Sequence, residues 1–204
     1  MRKIYFALLA SMLMATFVHI RANTINDKTI QPLLQSLDLP STSRVAAESN
    51  NLIVIENVDS TYNDMEVVAL WTYRPKDGKL LKLLTTNPNS DYECIGYGDK
   101  AQKVSLTSIP TISNVYINAE EDKILIEGND DRNCYSYIIS LTEGLPTIQL
   151  PCNAGVLGMS SEEELPIAQS YAYYKGGGRY NIISVFDWNG KCLKHFSLKG
   201  MESQ

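Results

Sequence analysis

A cluster of tyrosines around one arginine is the feature of this sequence best suited to binding. Tyr171, Tyr173, Tyr174 and Tyr180 surround Arg179, in a chain that contains 12 tyrosines. A tyrosine buries a large ring while its hydroxyl stays hydrated, and exposed tyrosine and arginine are frequent binding residues. Period-two alternation in a strand places Tyr171 and Tyr173 on one face and Tyr174 on the other. We predict that Tyr171, Tyr173, Tyr174 and Arg179 bind a partner; aromatic packing between sheets is the alternative.

Residues suited to catalysis are sparse. Beyond residue 22, His195 is the single histidine, and a Ser–His–Asp triad would have to use it. The acidic clusters 120–122, 130–131 and 162–164 lie between predicted strands, where charge is ordinarily solvated. A glycosidase would need two such carboxylates across a cleft. We therefore predict no catalytic residue.

The sequence also gives no indication of a metal or a cofactor. One histidine and the lack of an Asp-x-Asp-x-Asp loop disfavour zinc and EF-hand calcium sites. The run Gly176-Gly177-Gly178 lacks the spacing of a phosphate-binding loop and is typical of a connection between strands. We therefore predict neither a metal ion nor a cofactor.

Two of the four cysteines have a spacing that allows a disulfide. Cys134 and Cys152 are placed symmetrically about Glu143, so a hairpin that turns there brings them opposite each other. Opposed Cβ atoms lie about 4.5–5.5 Å apart, and a disulfide needs about 3.5–4.5 Å. We predict a Cys134–Cys152 disulfide; two thiols, or a shifted register, are the alternatives. The sequence gives no pairing for Cys94 and Cys192.

The start of the chain resembles a secretory leader. Met1-Arg2-Lys3 is basic, residues 4–18 are apolar and uncharged, and Ala22 is a small residue before a polar stretch. A basic start, a short apolar run and a small residue at the cut are the features of a signal peptide. We predict a signal peptide over 1–22 and a periplasmic or secreted protein; an uncleaved membrane anchor is the alternative.

The charge of the remaining chain limits its partners. Removing Arg2, Lys3 and Arg21 from 18 basic residues leaves 15 basic against 23 acidic residues, a net charge of −8. This balance argues against nucleic acid, whose phosphates require clustered basic residues, and against an anionic membrane surface. No stretch after the leader is long enough to cross a membrane.

Short apolar runs separated by turn residues predict an all-β protein. Gly78, Gly144 and Gly190 mark the turns of three hairpins, because glycine tolerates a positive φ. The hairpins span 66–84, 135–150 and 181–198. Further strands are predicted before each, at 44–48 and 52–58, at 115–119 and 123–127, and at 166–168 and 170–175. Three modules of about four antiparallel strands are typical of β-propeller blades.

The last module carries a resemblance to a known family. The stretches 171–174, 181–191 and 193–198, with Val185-Phe186-Asp187-Trp188 before the Asn189-Gly190 turn, resemble a blade of the TolB-like six-bladed propeller proteins of Bacteroidetes. The resemblance extends over 170–199 and, less closely, over 111–152. It implies an exported protein and a blade architecture, and it identifies no catalytic residue.

The expected fold is an incomplete propeller of about three blades over 44–204. Residues 23–43 form a polar segment in which 33–39 is predicted as a lone closing strand. A closed propeller typically has four to eight blades. The alternatives are an open half-propeller that forms a homodimer through its open blade edges, a shortened gene product, or a sandwich.

The expected function is an exported, non-enzymatic binding module whose partner is a protein or a glycan. The repeated blade pattern and the lack of a catalytic constellation favour it. The alternatives are a carbohydrate-active hydrolase or lyase that uses blade-loop carboxylates, and a degenerate remnant of a longer propeller.

Overall fold

The computed structural model describes residues 27–90, 98–106, 108–129 and 133–200, which form one helix and three antiparallel β-sheets. The predicted signal peptide, Cys94 and the acidic pair 130–131 lie outside the described residues. The all-β prediction is confirmed for the described part of the chain. The helix in this part of the chain is not long and apolar enough to span a membrane.

Sheet 1 and sheet 3 are four-stranded meanders, in which each strand pairs with the next along the chain. Sheet 1 consists of β1 (Arg44–Glu48), β2 (Ile53–Tyr62), β3 (Met65–Arg74) and β4 (Lys79–Thr85). Sheet 3 consists of β10 (Val156–Met159), β11 (Pro166–Tyr173), β12 (Arg179–Phe186) and β13 (Cys192–Ser197).

Sheet 2 adds a fifth strand to the same pattern. Its meander is β6 (Asn114–Ile117), β7 (Lys123–Asn129), β8 (Cys134–Ser140) and β9 (Thr147–Gln149). The extra strand, β5 (Gln102–Val104), pairs with the outer edge of β9 and comes from the connection between sheets 1 and 2. Strands of different modules are otherwise not mixed among the described sheets.

The three sheets stack with sheet 2 in the middle. Ile124 and Ile126 of β7 join the apolar cluster toward sheet 1, which includes Leu52 and Leu70. Leu125, between them, points the other way and packs with Ala168, Phe186 and Trp188 of the sheet 3 module. A central sheet needs apolar residues on both faces, and Ile124-Leu125-Ile126 within β7 is accordingly a continuous apolar run. Each fully buried Leu or Ile contributes about 1.5–3 kcal/mol.

The N-terminal segment corrects one prediction. Residues expected to contain a closing strand at 33–39 instead form helix α1 (Asp27–Ser36), followed by a turn. Leu34 is 3% exposed and packs on Ile53 and Ile55, on the face of sheet 1 opposite to sheet 2. Helix α1 therefore covers the outer face of sheet 1.

The three predicted turn glycines all have positive φ, at 65° for Gly78, 81° for Gly144 and 76° for Gly190. At the third turn only Gly190 is left-handed, and a bulge shifts the register of β12 and β13 beside it. Gly190 is also tightly packed, since a Cβ there would lie 2.6 Å from Ile148. The predicted hairpins are confirmed, with a bulged turn in the last one.

The third module starts earlier than predicted. Residues 166–168, expected as a separate first strand, belong to β11 together with 170–173. The first strand of sheet 3 is instead β10, which pairs antiparallel with the start of β11. Its four residues include Gly158 at a bulge, so the sequence there carries little strand signal.

The predicted disulfide between Cys134 and Cys152 is not formed in the structure. The predicted hairpin register is present, since Tyr137 pairs with Gln149, but strand β9 ends there. Pro151 cannot donate to the ladder, and the Cys152 N–H bonds to the carbonyl of Leu150 as the chain bends away. The buried Cys152 thiol therefore lies 3.3 Å from the Ser136 hydroxyl. Cys134, Cys152 and Cys192 are thiols.

Candidate functional site

The predicted binding residues lie at the end of the β11–β12 hairpin of sheet 3. In β11, Tyr171 and Tyr173 alternate with the buried Ser170 and Ala172, which point toward sheet 2. Tyr173 pairs in register with Arg179 across the hairpin. Tyr171, Tyr173 and Arg179 therefore share the face of sheet 3 that points away from sheet 2, here called the outer face of sheet 3.

Arg179 and Tyr171 are in direct contact on this face. The guanidinium carbon lies 4.1 Å from the centre of the Tyr171 ring. Such a cation–π contact is worth about 0.5–1 kcal/mol at an exposed site and more once water is removed. It holds the arginine head over the sheet, while Tyr173 beside it is 62% exposed.

Tyr174 does not belong to this face. Its ring packs on Tyr180 with 4.9 Å between ring centres, and its hydroxyl accepts a hydrogen bond of 2.8 Å from the Gly200 N–H. Lys199 lies over both rings. Tyr174 therefore packs the segment around Gly200 against the hairpin, as the packing alternative expects. The other three predicted residues, Tyr171, Tyr173 and Arg179, lie together on the outer face of sheet 3.

Apolar side chains that the sequence analysis did not single out continue the outer face. Ile183 pairs in register with Gln169 and with Phe196, and Phe196 is 46% exposed. Val185 pairs with Ile167 on one side and with Lys194 on the other. The period-two alternation of β12, with buried Ile182, Ser184 and Phe186, was the signal that could have found them.

The outer face of sheet 3 is not covered by any of the described residues. The apolar clusters lie between sheets 1 and 2, between sheets 2 and 3, and between α1 and sheet 1. None of them contains Ile183, Val185 or Phe196. The stack thus ends in a helix on one side and in an open sheet face on the other.

This face is basic in an acidic protein. Strands β11, β12 and β13 contain no aspartate or glutamate, and Arg179 and Lys194 are exposed on the face. Within the described parts of the chain the one ion pair joins Arg44 to Glu56, on sheet 1. Arg179 and Lys194 therefore have no carboxylate partner among the described residues.

A buried carboxyl lies elsewhere, between sheets 2 and 3. Glu127 of β7 is 8% exposed and accepts hydrogen bonds from the Val156 N–H at 2.6 Å and from Asn114 Nδ2 at 2.9 Å. Burial raises the pKa of the Glu127 carboxyl, although both hydrogen bonds oppose the shift. Burial, and less strongly the Glu127 charge, also raises the pKa of Tyr116.

The remaining acidic clusters of the described residues lie in the connections between strands. Asn118 donates to Glu120 at 2.8 Å and to Asp122 at 2.7 Å, and this turn connects β6 with β7. Glu121 accepts from the Asn51 N–H at 2.9 Å, which lowers the pKa of its carboxyl. Residues 162–164 are exposed in the connection before β11. These carboxylates are engaged in loop structure or surrounded by solvent.

Among the described residues, the His195 ring has one hydrogen-bonding partner. His195 Nδ1 lies 3.2 Å from Ser184 Oγ, its partner in the β12–β13 register. Ser184 is 2% exposed, and no described carboxylate bonds to His195. A triad needs both an accessible nucleophile and an acid that orients the histidine. Burial also raises the pKa of the nearby Cys192 thiol, which lowers its reactivity.

A cleft of about 570 Å³ lies between the outer strands of sheets 1 and 2. Leucines, valine, isoleucine and proline dominate its lining, with Lys103, Ser105 and Thr147 as the polar members. None of the described residues that line it is an acid, a histidine or a cysteine. The described residues also contain no group of three or more potential metal ligands.

Comparison with family models, with curated proteins and with solved structures found no match to this chain.

Proposed function

We propose that this protein is an exported, non-enzymatic interaction module, built from propeller-type blades, that binds a protein partner through the outer face of sheet 3. One observation carries the proposal: this face combines the Arg179–Tyr171 pair with exposed Tyr173 and Phe196, and no described residue covers it. Aromatic and arginine residues around an apolar centre are the usual composition of a protein interface.

The stacking of the sheets supports the blade interpretation. Each sheet contains a meander of four strands, and the first strands of the first two meanders, β1 and β6, contact each other. In a propeller the first strand of every blade lies beside the central axis. The basic start and apolar run of residues 1–22 support export.

A protein fits this face better than a glycan. Sugars stack on open aromatic faces, whereas one face of the Tyr171 ring is occupied by Arg179 at 4.1 Å. The aliphatic side chains of Ile183 and Val185 provide an apolar centre that suits the side chains of another polypeptide.

Helix α1 disfavours the alternative in which a homodimer completes a ring. Two half-propellers closing a ring would each use the outer faces of both end sheets, and α1 occupies that of sheet 1 through Leu34. The hydrolase alternative needs two reachable carboxylates. Glu127 has the raised pKa of a general acid, but it is 8% exposed and both of its oxygens accept hydrogen bonds.

A photo-crosslinking experiment in the producing cells tests the proposal. A benzophenone amino acid replaces Tyr173, and in a matched variant it replaces Tyr62, a 43% exposed tyrosine of sheet 1. We expect one adduct with a different polypeptide at position 173 and none at position 62. No adduct at 173, equal adducts at both positions, or an adduct of two copies of this chain would each overturn the proposal.

A further inference from the structure

We infer that the partner presents carboxylate side chains to the outer face of sheet 3, so that the ligand is an acidic polypeptide surface. The inference rests on the proposed function, because it describes the partner of that same face. It starts from the charge on the face: Arg179 and Lys194 are exposed there, and β11–β13 contain no acidic residue although the chain has 23.

The acidic residue closest in sequence to these strands does not neutralise the face. Asp187 follows β12, but its Oδ1 accepts hydrogen bonds of 2.8 Å from the backbone N–H groups of Asn189 and Lys191. Its carboxylate is thus used to form the turn. The two exposed cations of the face form no ion pair with any described residue.

The contact with Tyr171 prepares Arg179 for a carboxylate. The ring supports one side of the guanidinium, with 4.1 Å between the guanidinium carbon and the ring centre. The nitrogens at the edge of the group can still donate two parallel hydrogen bonds to one carboxylate. A held arginine loses less side-chain freedom on binding than a mobile one.

The positive charge of the outer face of sheet 3 also distinguishes between possible partners. A neutral apolar partner would bury Arg179 without an opposite charge, which is costly. A second copy packed face to face would bring Arg179 and Lys194 near their own equivalents, and like charges across an interface disfavour association. An acidic polypeptide satisfies the cations and still packs on Ile183 and Phe196.

Titration by NMR with poly-L-glutamate tests the inference on the purified protein. We expect shifts of the amide signals of Arg179 and Lys194, and a Kd at least tenfold weaker when NaCl rises from about 50 to about 250 mM, because salt screens exposed charges. Arg179→Gln should weaken binding about fivefold, and Arg179→Lys less. Lys79→Gln is the matched control, since Lys79 is an exposed cation of sheet 1, and should leave the Kd unchanged.

Polygalacturonate serves as the acidic glycan in the same titration. Tighter binding of polygalacturonate than of poly-L-glutamate would overturn the polypeptide assignment. Equal affinity of the Arg179→Gln and wild-type proteins for poly-L-glutamate, or shifts outside sheet 3, would overturn the inference itself. If poly-L-glutamate does not bind while position 173 still crosslinks to another polypeptide, the inference of an acidic partner is wrong. The proposed function as a protein-binding module is then still supported.

Discussion

Glu127 of sheet 2 accepts a hydrogen bond of 2.6 Å from the backbone N–H of Val156, the first residue of sheet 3. The Asn114 side chain donates to the second carboxylate oxygen. The buried carboxyl therefore holds together two sheets that otherwise meet mainly through apolar contacts. Its protonation state is expected to influence how firmly sheet 3 is held.

The raised pKa of Glu127 predicts a specific pH dependence of stability. The folded-state pKa lies above the unfolded value of about 4.3. The associated stabilisation is fully present below the unfolded pKa and is lost as pH rises through the folded pKa, because the ionised form is disfavoured by burial. Glu127→Gln, which does not ionise, should remove this loss.

The measurement is urea unfolding of both proteins between pH 4 and pH 8. We expect the difference in unfolding free energy, Glu127→Gln minus wild type, to become more positive as pH rises. Glu121→Gln is a suitable control, because hydrogen bonding lowers the pKa of Glu121 and the opposite trend follows. A pH-independent difference for position 127 would contradict the prediction.

A pair of glycine substitutions separates steric overlap from backbone strain. Gly155 has φ of 89°, and a Cβ there would overlap Glu127 Oε1, whereas Gly144 has φ of 81° and open space around it. Gly144→Ala should cost about 1–2 kcal/mol of unfolding free energy, from the left-handed backbone alone. Gly155→Ala should cost about 1–3 kcal/mol more, because it disrupts the buried Glu127 hydrogen bonds. Chemical denaturation measures the unfolding free energy of both variants. Equal losses would mean that the overlap of the new Cβ with Glu127 is relieved without loss of stability.

The hairpins could be predicted because their signals are local. Each consists of two apolar runs and a glycine turn within about 20 residues, and Gly78, Gly144 and Gly190 indeed have positive φ. Strand β5 was missed because three residues gain strand character only by pairing with β9, more than 40 residues later. Glu127 was missed for a similar reason, since its burial depends on Gly155 and Val156 of the next module.

Helix α1 was missed although its signal is present. Ile30, Leu33, Leu34 and Leu37 follow the i, i+3, i+4, i+7 spacing of an apolar helix face. Pro32 within the segment lacks the N–H of an interior helix residue, which weakens a helical interpretation. The binding face could be predicted in part, because strand alternation places Tyr171 and Tyr173 on the same face. Phe196 could not be predicted, because its exposure depends on which face of sheet 3 packs against sheet 2.

The position of α1 predicts a loss of stability on truncating its buried side chain. Leu34→Ala removes a 3% exposed leucine that packs on Ile53 and Ile55. We expect the unfolding free energy to fall by about 2 kcal/mol or more. Gln35→Ala, at an exposed position of the same helix, should change it by less than about 0.5 kcal/mol. Similar small effects for both variants in urea unfolding would show that α1 does not stabilise sheet 1.

Neighbouring tyrosines should separate binding from packing. Tyr173→Ala removes a ring that is 62% exposed, so the unfolding free energy should change by less than about 0.5 kcal/mol. Tyr174→Ala removes the contact with Tyr180 and the acceptor for the Gly200 N–H, which should cost about 1–2 kcal/mol.

Partner binding should show the reverse order. Tyr173→Ala should weaken the Kd for the crosslinked partner about tenfold or more, since exposed tyrosines beside arginine are frequent energetic centres of interfaces. Tyr174→Ala should weaken it by less than about twofold at a temperature where the variant remains folded. Because the two residues are adjacent in the chain, a general disturbance of the hairpin would affect both properties in parallel. Opposite orders of stability and affinity can arise only if the outer face of sheet 3, and not the hairpin as a whole, contacts the partner.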